Sequence, residues 1–348
     1  MKIIWYCIIK FYIRLGLFFY YKKLKVVGQE NIPKKGAVLF VGNHQNALID
    51  PLIIATTNNR NTHFLTRAGV FKKKLIIFFF DSVQMIPIYR VRDGWTTLAK
   101  NNAIFEKCIE ILNSQKALLI FPEGSHNLVR KVRPLSKGFT RILFGAIEKY
   151  HNLDIHIVPV GLNYTRITDY PSSAAVYYGE PILVNNYWDK NDVFKSTNSL
   201  KEVVHNGMKV LTTHIDKNGE EYDTTSSKLN QLKVDYLNPI ATNKIIKEID
   251  NQSIKDSKSQ PKIHKSIFYY IFLINSFLPW KLWKKLQKGI SEPEFISSIR
   301  FGLGISLFPL FYVLQSLILK YFFGGKIALY YFIFSILTTL ILTKISKD

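Results

Sequence analysis

Residues 36–51 read GAVLFVGNHQNALIDP, and this stretch decides the fold. GAVLFVG is a short apolar run closed by glycine at both ends, the pattern of a buried β-strand. Polar residues follow at once. Asp50-Pro51 suits a helix start, because proline gives up no needed N–H in the first turn. His44 therefore lies at the end of a buried strand with a carboxylate close behind. The pair can act as general base and orienter, the imidazole taking a proton while the carboxylate fixes its tautomer. Asp50 can equally serve as a helix cap. The residues alone leave both roles open.

Working outward, residues 117–121 (ALLIF) and 155–160 (IHIVPV) repeat the strand texture. Residues 69–80, 95–113 and 137–149 carry helical spacing. Strand–helix alternation predicts an α/β fold, a sheet covered by helices. In such sheets ligands bind at the carboxyl ends of strands. Three further polar clusters fall there. Residues 86–90 (IPIYR) put Arg90 at the end of an extended segment, where a planar guanidinium suits bidentate phosphate contacts. Residues 121–126 (FPEGSH) are followed by Arg130, Lys131, Arg133 and Lys137. A carboxylate there can hold a polyol hydroxyl while the cations hold a phosphate. The last cluster is 158–164 (VPVGLNY). No G-x-S-x-G, P-loop, H-E-x-x-H or G-x-G-x-x-G motif occurs.

Composition narrows the class. The 348 residues hold 47 Lys+Arg against 25 Asp+Glu, a net charge of +22, with 47% hydrophobic residues. That hydrophobicity excludes a disordered chain. Long uncharged apolar runs argue against a nucleic-acid binder and for an anionic membrane surface. Two cysteines, Cys7 and Cys108, exclude a disulfide framework and a Cys-rich zinc site. No metal is expected.

The membrane signals sit at the ends. Residues 1–25 predict an interfacial amphipathic helix with Lys10 and Arg14 on one cationic face. Residues 303–319 and 327–342 carry no charge and predict a transmembrane helical hairpin, with 320–326 as its turn. The stretch 267–278 is too short to span and ends in Trp280, Lys281, Trp283, Lys284 and Lys285, an interface anchor. The expected organisation is an interfacial helix at 1–25, a catalytic domain at 26–241, a polar linker at 242–265 and a membrane-associated region at 266–348.

Taken in order, Asn43-His44 with Asp50, Pro87-Ile88-Tyr89-Arg90, Phe121-Pro122-Glu123-Gly124-Ser125 and Val158-Pro159-Val160 resemble the four motifs of the glycerolipid acyltransferase family. That family includes the lysophosphatidic acid and glycerol-3-phosphate acyltransferases. The resemblance covers about residues 30–185, and the motif clusters lie wholly within 36–185. One departure is five residues between His44 and Asp50 where four are common. On a regular helix this turns Asp50 about 100° away, so the pair meets only if the intervening loop bulges.

The resemblance implies an O-acyltransferase that moves a fatty acyl group from acyl-CoA or acyl-acyl carrier protein. The acceptor would be the hydroxyl of glycerol-3-phosphate or 1-acylglycerol-3-phosphate, in phospholipid biosynthesis. It implies His44 as base with Asp50 as partner, Arg90 on the acceptor phosphate, and Glu123 and Gly124 on the acceptor glycerol. Ser125 and Lys137 complete the substrate-binding set, and Pro159 shapes the site wall. No acyl-enzyme and no cofactor are implied. The partners are membrane lipid and the thioester carrier. Leu75–Phe80 either lines the acyl path or forms a buried helix face. The location implied is the cell membrane, with the catalytic domain on the cytoplasmic face. A lyso-aminolipid acceptor and a non-enzymatic anionic-lipid-binding protein are the alternatives.

Overall fold

The structure, a computed structural model, describes residues 2–89, 99–251 and 267–345. Strand β2 (Ala37–Gly42) is central, and its six residues are all buried. The other strands are β1 (Tyr21–Val27), β3 (Thr62–Arg67), β4 (Met85–Ile88), β5 (Ala117–Ile120), β6 (Ile155–Tyr164), β7 (Ser172–Tyr178) and β8 (Ile182–Leu183). They form one mixed sheet in the order β1-β7-β6-β2-β5-β3-β4, with β8 added to β6. The run from β6 to β4 is parallel; β7 and β8 lie antiparallel to β6. The predicted α/β sheet covered by helices is the fold observed.

The period-2 alternation of β2 assigns the two faces. Ala37, Leu39 and Val41 enter one core with α4 (Asn101–Asn113), α5 (Gly138–Lys149) and α6 (Val193–Leu211). Val38 and Phe40 enter a second core with α1 (Lys2–Tyr20) and α2 (Ile49–Thr57). The sequence pattern does not reveal edge strand β1 or β3, which lies between β5 and edge strand β4. The apolar pattern of β1 is broken by Lys22, Lys23 and Lys25, which its edge position tolerates, and that of β3 by His63.

The polar stretch read as a linker begins in a helix. After α7 (Gly219–Gln231), α8 (Pro239–Asn251) carries Ile246 and Ile249 onto Ile215, Leu229 and Tyr236 as a small satellite core. Lys244, Lys247 and Glu248 form the outer face of this helix; 252–265 falls outside the described residues. The segment 69–80 is also revised. A 3-10 turn at Ala68–Val70 precedes α3 (Lys74–Ser82), and α3 buries nothing: Leu75 is 84% and Phe78 75% exposed. The buried-face reading of Leu75–Phe80 therefore fails.

Helix α1 ends at Tyr20, where β1 follows, and only Arg14 of its expected cationic pair is exposed. Lys10 turns inward, its Nζ donating to Asn58 O at 2.6 Å, where it caps the exposed carbonyl end of α2. Ile4, Ile8, Phe11 and Phe18 face outward. The C-terminal region adds α9 (Ile267–Asn275), α10 (Phe277–Gln287), α11 (Ile296–Phe323) and α12 (Gly325–Ile345). The last two pack as an antiparallel pair and are long and apolar enough to cross a membrane. Their turn is a single residue, Gly324 at φ 85°, not the seven-residue 320–326 segment. Nothing before Gly324 breaks the helix, so Lys320–Phe323 simply continue it.

Two histidines outside the site set an acid limit on stability. The Val132 N–H donates to His214 Nδ1 at 3.0 Å, and burial lowers the His214 pKa to about 4. Burial likewise lowers His63 to about 4. In the unfolded chain both take up protons near the ordinary value of about 6.5. Their depressed folded values mean that stability is fully present above 6.5 and falls as pH drops toward 4. Thermal unfolding should come at lower temperature at pH 5 than at pH 7, and His214→Gln should flatten part of that difference. A Tm unchanged over this range would contradict it.

Candidate active site

Beyond Gly42 the chain leaves β2 and makes an irregular loop, residues 43–48, before α2 begins at Ile49. Asn43 anchors the loop to β6, exchanging two hydrogen bonds with Leu162: its Nδ2 donates to Leu162 O at 3.1 Å, and Leu162 N donates to Asn43 Oδ1 at 2.7 Å. The loop is the bulge that the five-residue spacing demands. It brings His44 Nδ1 to 2.8 Å from Asp50 Oδ2.

Asp50 is fully buried and every contact it makes is a donor. Gln45 N and Asn46 N each reach Oδ2 at 2.7 Å, and the Tyr164 hydroxyl donates to Oδ1. Burial first, and then the Asp50 charge, push the Tyr164 phenol well above its usual range, so it remains a donor. The cap reading of Asp50 is set aside. Asp50 lies inside the first helical turn and binds N–H groups that precede the helix. Because the carboxylate only accepts, Nδ1 of His44 donates and Nε2 keeps its lone pair. The imidazole lies flat on Phe121, with centroids 4.2 Å apart and an interplanar angle of 13°. Its side chain is 14% exposed, enough to meet a substrate.

The Phe121–His126 segment lies beside this loop. Asn127 N donates to His44 O at 3.0 Å, and Gln45 Nε2 to Val129 O at 2.9 Å. Glu123 is 2% exposed and its carboxylate is taken by Arg133, whose Nε and Nη2 reach Oε2 at 2.9 and 2.6 Å. Burial pushes the Glu123 pKa up, while the Arg133 charge and a backbone hydrogen bond from His44 pull it back. Ser125 Oγ accepts from Arg133 Nη1 at 2.7 Å. Gly124 turns at φ 74°, a conformation that a side chain would strain.

The four cations after this segment do not converge on an open phosphate site. Arg130 is inside the fold, donating to Tyr164 O and Thr165 O and stacked 3.6 Å above Tyr236. Lys131 pairs with Asp216 at 3.0 Å, and Arg133 holds Glu123. Lys137 is exposed at the start of α5. Arg90 lies outside the described residues.

Pro159 is corrected. It pairs with Val41 in register, so it shares Val41's face of the sheet, opposite to the one packed by α2, which carries Asp50. A Cβ at Gly207 of α6 would meet Pro159 Cγ at 3.2 Å. Pro159 braces the sheet against α6 and does not line the site.

Sequence reasoning missed the contribution of the C-terminal region. Ser298, in the first turn of α11, accepts from Leu48 N at 2.9 Å and donates to Asn46 Oδ1 at 3.0 Å. Ala47 N donates to Glu294 O, and the ring of Phe295 packs edge-on to His126 at 5.0 Å; His126 in turn lies edge-on to His44 at 5.6 Å. The site is therefore not contained within residues 36–185. No local signal links Ser298 to a loop 250 residues earlier. A chain ending near Gln260 should lose most turnover even toward soluble acceptors. Ser298→Ala in the full chain should lower turnover roughly tenfold, if loss of about one hydrogen bond's worth of loop order is fully expressed. Comparing the two by kcat, with folding followed by circular dichroism, checks this. Normal kcat in both would show that the docked segment only anchors.

His44 and its buried partner Asp50 thus sit at the carboxyl end of a parallel strand of an α/β sheet, beside outward-facing apolar helices. Residues 23–163 match the family described as Acyltransferase. Glycerol-3-phosphate O-acyltransferase 2 of Saccharomyces cerevisiae is 28% identical over 127 residues, 36% of this chain and 17% of that protein. The 1-acyl-sn-glycerol-3-phosphate acyltransferase of Borreliella burgdorferi is 26% identical over 242 residues, covering 70% of this chain and 78% of the relative. The crystal structure of the 1-acyl-sn-glycerophosphate acyltransferase of Thermotoga maritima aligns with TM-score 0.39 and 20% identity, over 53% of this chain and 70% of that one. This chain spans less than a fifth of the yeast relative's length. The Acyltransferase match covers residues 23–163, and the relatives similar to this chain are named as glycerolipid acyltransferases.

Proposed function

We propose that the protein transfers a fatty acyl group from an acyl thioester to a hydroxyl of glycerol-3-phosphate or 1-acylglycerol-3-phosphate. One observation carries the reading: His44 Nδ1 sits 2.8 Å from a fully buried Asp50 whose remaining contacts are all donors. Asp50 thereby holds the ring through Nδ1, and His44 Nε2 is left to act as the base. Nε2 takes the proton of the acceptor hydroxyl as its oxygen attacks the thioester carbonyl carbon. The tetrahedral adduct collapses, the C–S bond breaks, and the imidazolium returns the proton to the departing thiolate. Asp50 stabilises the transient imidazolium, and Phe121 fixes the ring plane.

The surroundings suit a bilayer reaction. Phe11 and Phe18 of α1 and Leu75 and Phe78 of α3 present an apolar surface, continued by α11 and α12. A helical pair returns the chain to the side on which it entered. With basic residues at 281–300 and at Lys344, that side is the cytoplasmic face.

A labelled acyl thioester offered with glycerol-3-phosphate, 1-acylglycerol-3-phosphate and a lyso-aminolipid tests the reading. Product is expected with one or both glycerophosphates. Transfer to neither overturns it.

A further inference from the structure

Away from His44, helices α1, α9, α10, α11 and α12 line a partly open cleft of about 470 Å³. That volume falls within the usual range for small-molecule sites. Its walls are apolar along most of their length, with Phe19, Phe308, Tyr312, Phe332 and Ile336 among them. The close approach of α1 and α11 that shapes it depends on Gly16, where a Cβ would fall 2.4 Å from Ile305 Cγ2.

One end differs. Arg300, Lys284 and Gln287 line it, and no acidic residue does. The Arg300 guanidinium lies 5.2 Å from the Trp283 ring and 5.8 Å from the Tyr170 ring. Its Nη2 donates to Thr168 O, whereas its Nε is buried with no hydrogen-bond partner. Among the described residues no carboxylate ion-pairs with it. A buried donor left open is costly, and a charge-assisted bond from an incoming anion would satisfy it.

An apolar bore with cations at one end fits an amphiphile with an anionic head. Two of its walls are the helices long enough to cross a bilayer, so the bilayer is the source. We propose that the cavity binds an anionic glycerophospholipid, with one acyl chain between the helices and its phosphate on Arg300 and Lys284. The site is separate from the His44 centre. It is nonetheless coupled to that centre through α11, because Ser298 holds the catalytic loop two residues before Arg300.

The test uses the full-length protein in neutral detergent micelles, without acyl donor. Phosphatidylglycerol, phosphatidylcholine with the same chains, and inorganic phosphate are titrated in turn while Tm is followed. Ligands of the native state raise Tm by mass action. Phosphatidylglycerol should act at roughly tenfold lower concentration than phosphatidylcholine, the scale of one charge-assisted contact, and inorganic phosphate should give no shift. A Cβ at Gly304, a lining position, meets nothing within 4 Å, so Gly304→Leu directs its side chain into the open space of the bore and should cancel both lipid shifts. Arg300→Gln should erase the headgroup preference and Arg300→Lys should keep it. If Arg300→Gln fails to fold, the exposed Lys284→Gln should still reduce the preference.

Equal potency of the two lipids, a full phosphatidylglycerol shift in Gly304→Leu, or a shift from phosphate alone would each overturn the proposal. Because no acyl donor is present, failure here leaves His44-dependent transfer standing. Failure of transfer would likewise leave this site standing.

Discussion

His44→Ala should lower kcat by about 100-fold or more, the scale of losing a positioned general base, while the protein stays folded. The imidazole is partly exposed and contributes little to the core beyond its stack on Phe121. The loop around it is held by other groups: Asn43 on Leu162, Ser298 on Asn46, and Asp50 on the two backbone amides. Asp50→Asn should also impair turnover, by a different route. An amide offers one acceptor oxygen where the carboxylate has two that together take four donors. Its NH₂ must then face Tyr164 or the His44 side, and the imidazole tautomer is no longer fixed. This variant should lose both activity and Tm, whereas His44→Ala loses activity alone. Near-normal kcat in folded His44→Ala would remove the mechanism.

The readable part of the molecule is the part encoded by short-range pattern. Strand β2 is apolar without interruption because it is buried on both faces, and the loop after it announces itself as polar residues between Gly42 and Pro51. Edge strand β1 carries three lysines and hides within a charged run. Helix α8 looks like a linker because one satellite core needs only Ile246 and Ile249 from it. Within the site, His44 and Asp50 lie six residues apart and were legible together. Tyr164 and Ser298 were not, since their partners lie 114 and 250 or more residues away. Pro159 was misplaced for a related reason. Its face of the sheet follows from its register with Val41, which no local spacing reveals. The basic run after Glu123 looked like a phosphate site because sequence shows charge without showing what each charge already holds.

Arg133 makes that last point quantitative. It reaches Glu123 through two guanidinium nitrogens and its own backbone N–H, and it holds Ser125 as well. Arg133→Ala leaves a 2%-exposed carboxylate without its cation. Removing one partner of a buried pair typically costs about 3–5 kcal/mol. Glu123 has an escape, since burial already favours its neutral form. Without Arg133 the raised pKa rises further and the carboxyl takes up a proton. A group with a raised carboxyl pKa is relieved as pH falls, so the deficit of Arg133→Ala relative to the parent should be largest near pH 8 and shrink toward pH 5. Glu123→Gln combined with Arg133→Ala should recover part of the loss at pH 8 by removing the stranded charge. Turnover should fall in Arg133→Ala even where the protein is folded, because Glu123 also accepts from the backbone of His44. Thermal unfolding of the parent, the single variant and the double variant across pH 5–8 checks this. A deficit independent of pH, with no recovery in the double variant, would show that Arg133 acts through packing and not through the Glu123 charge.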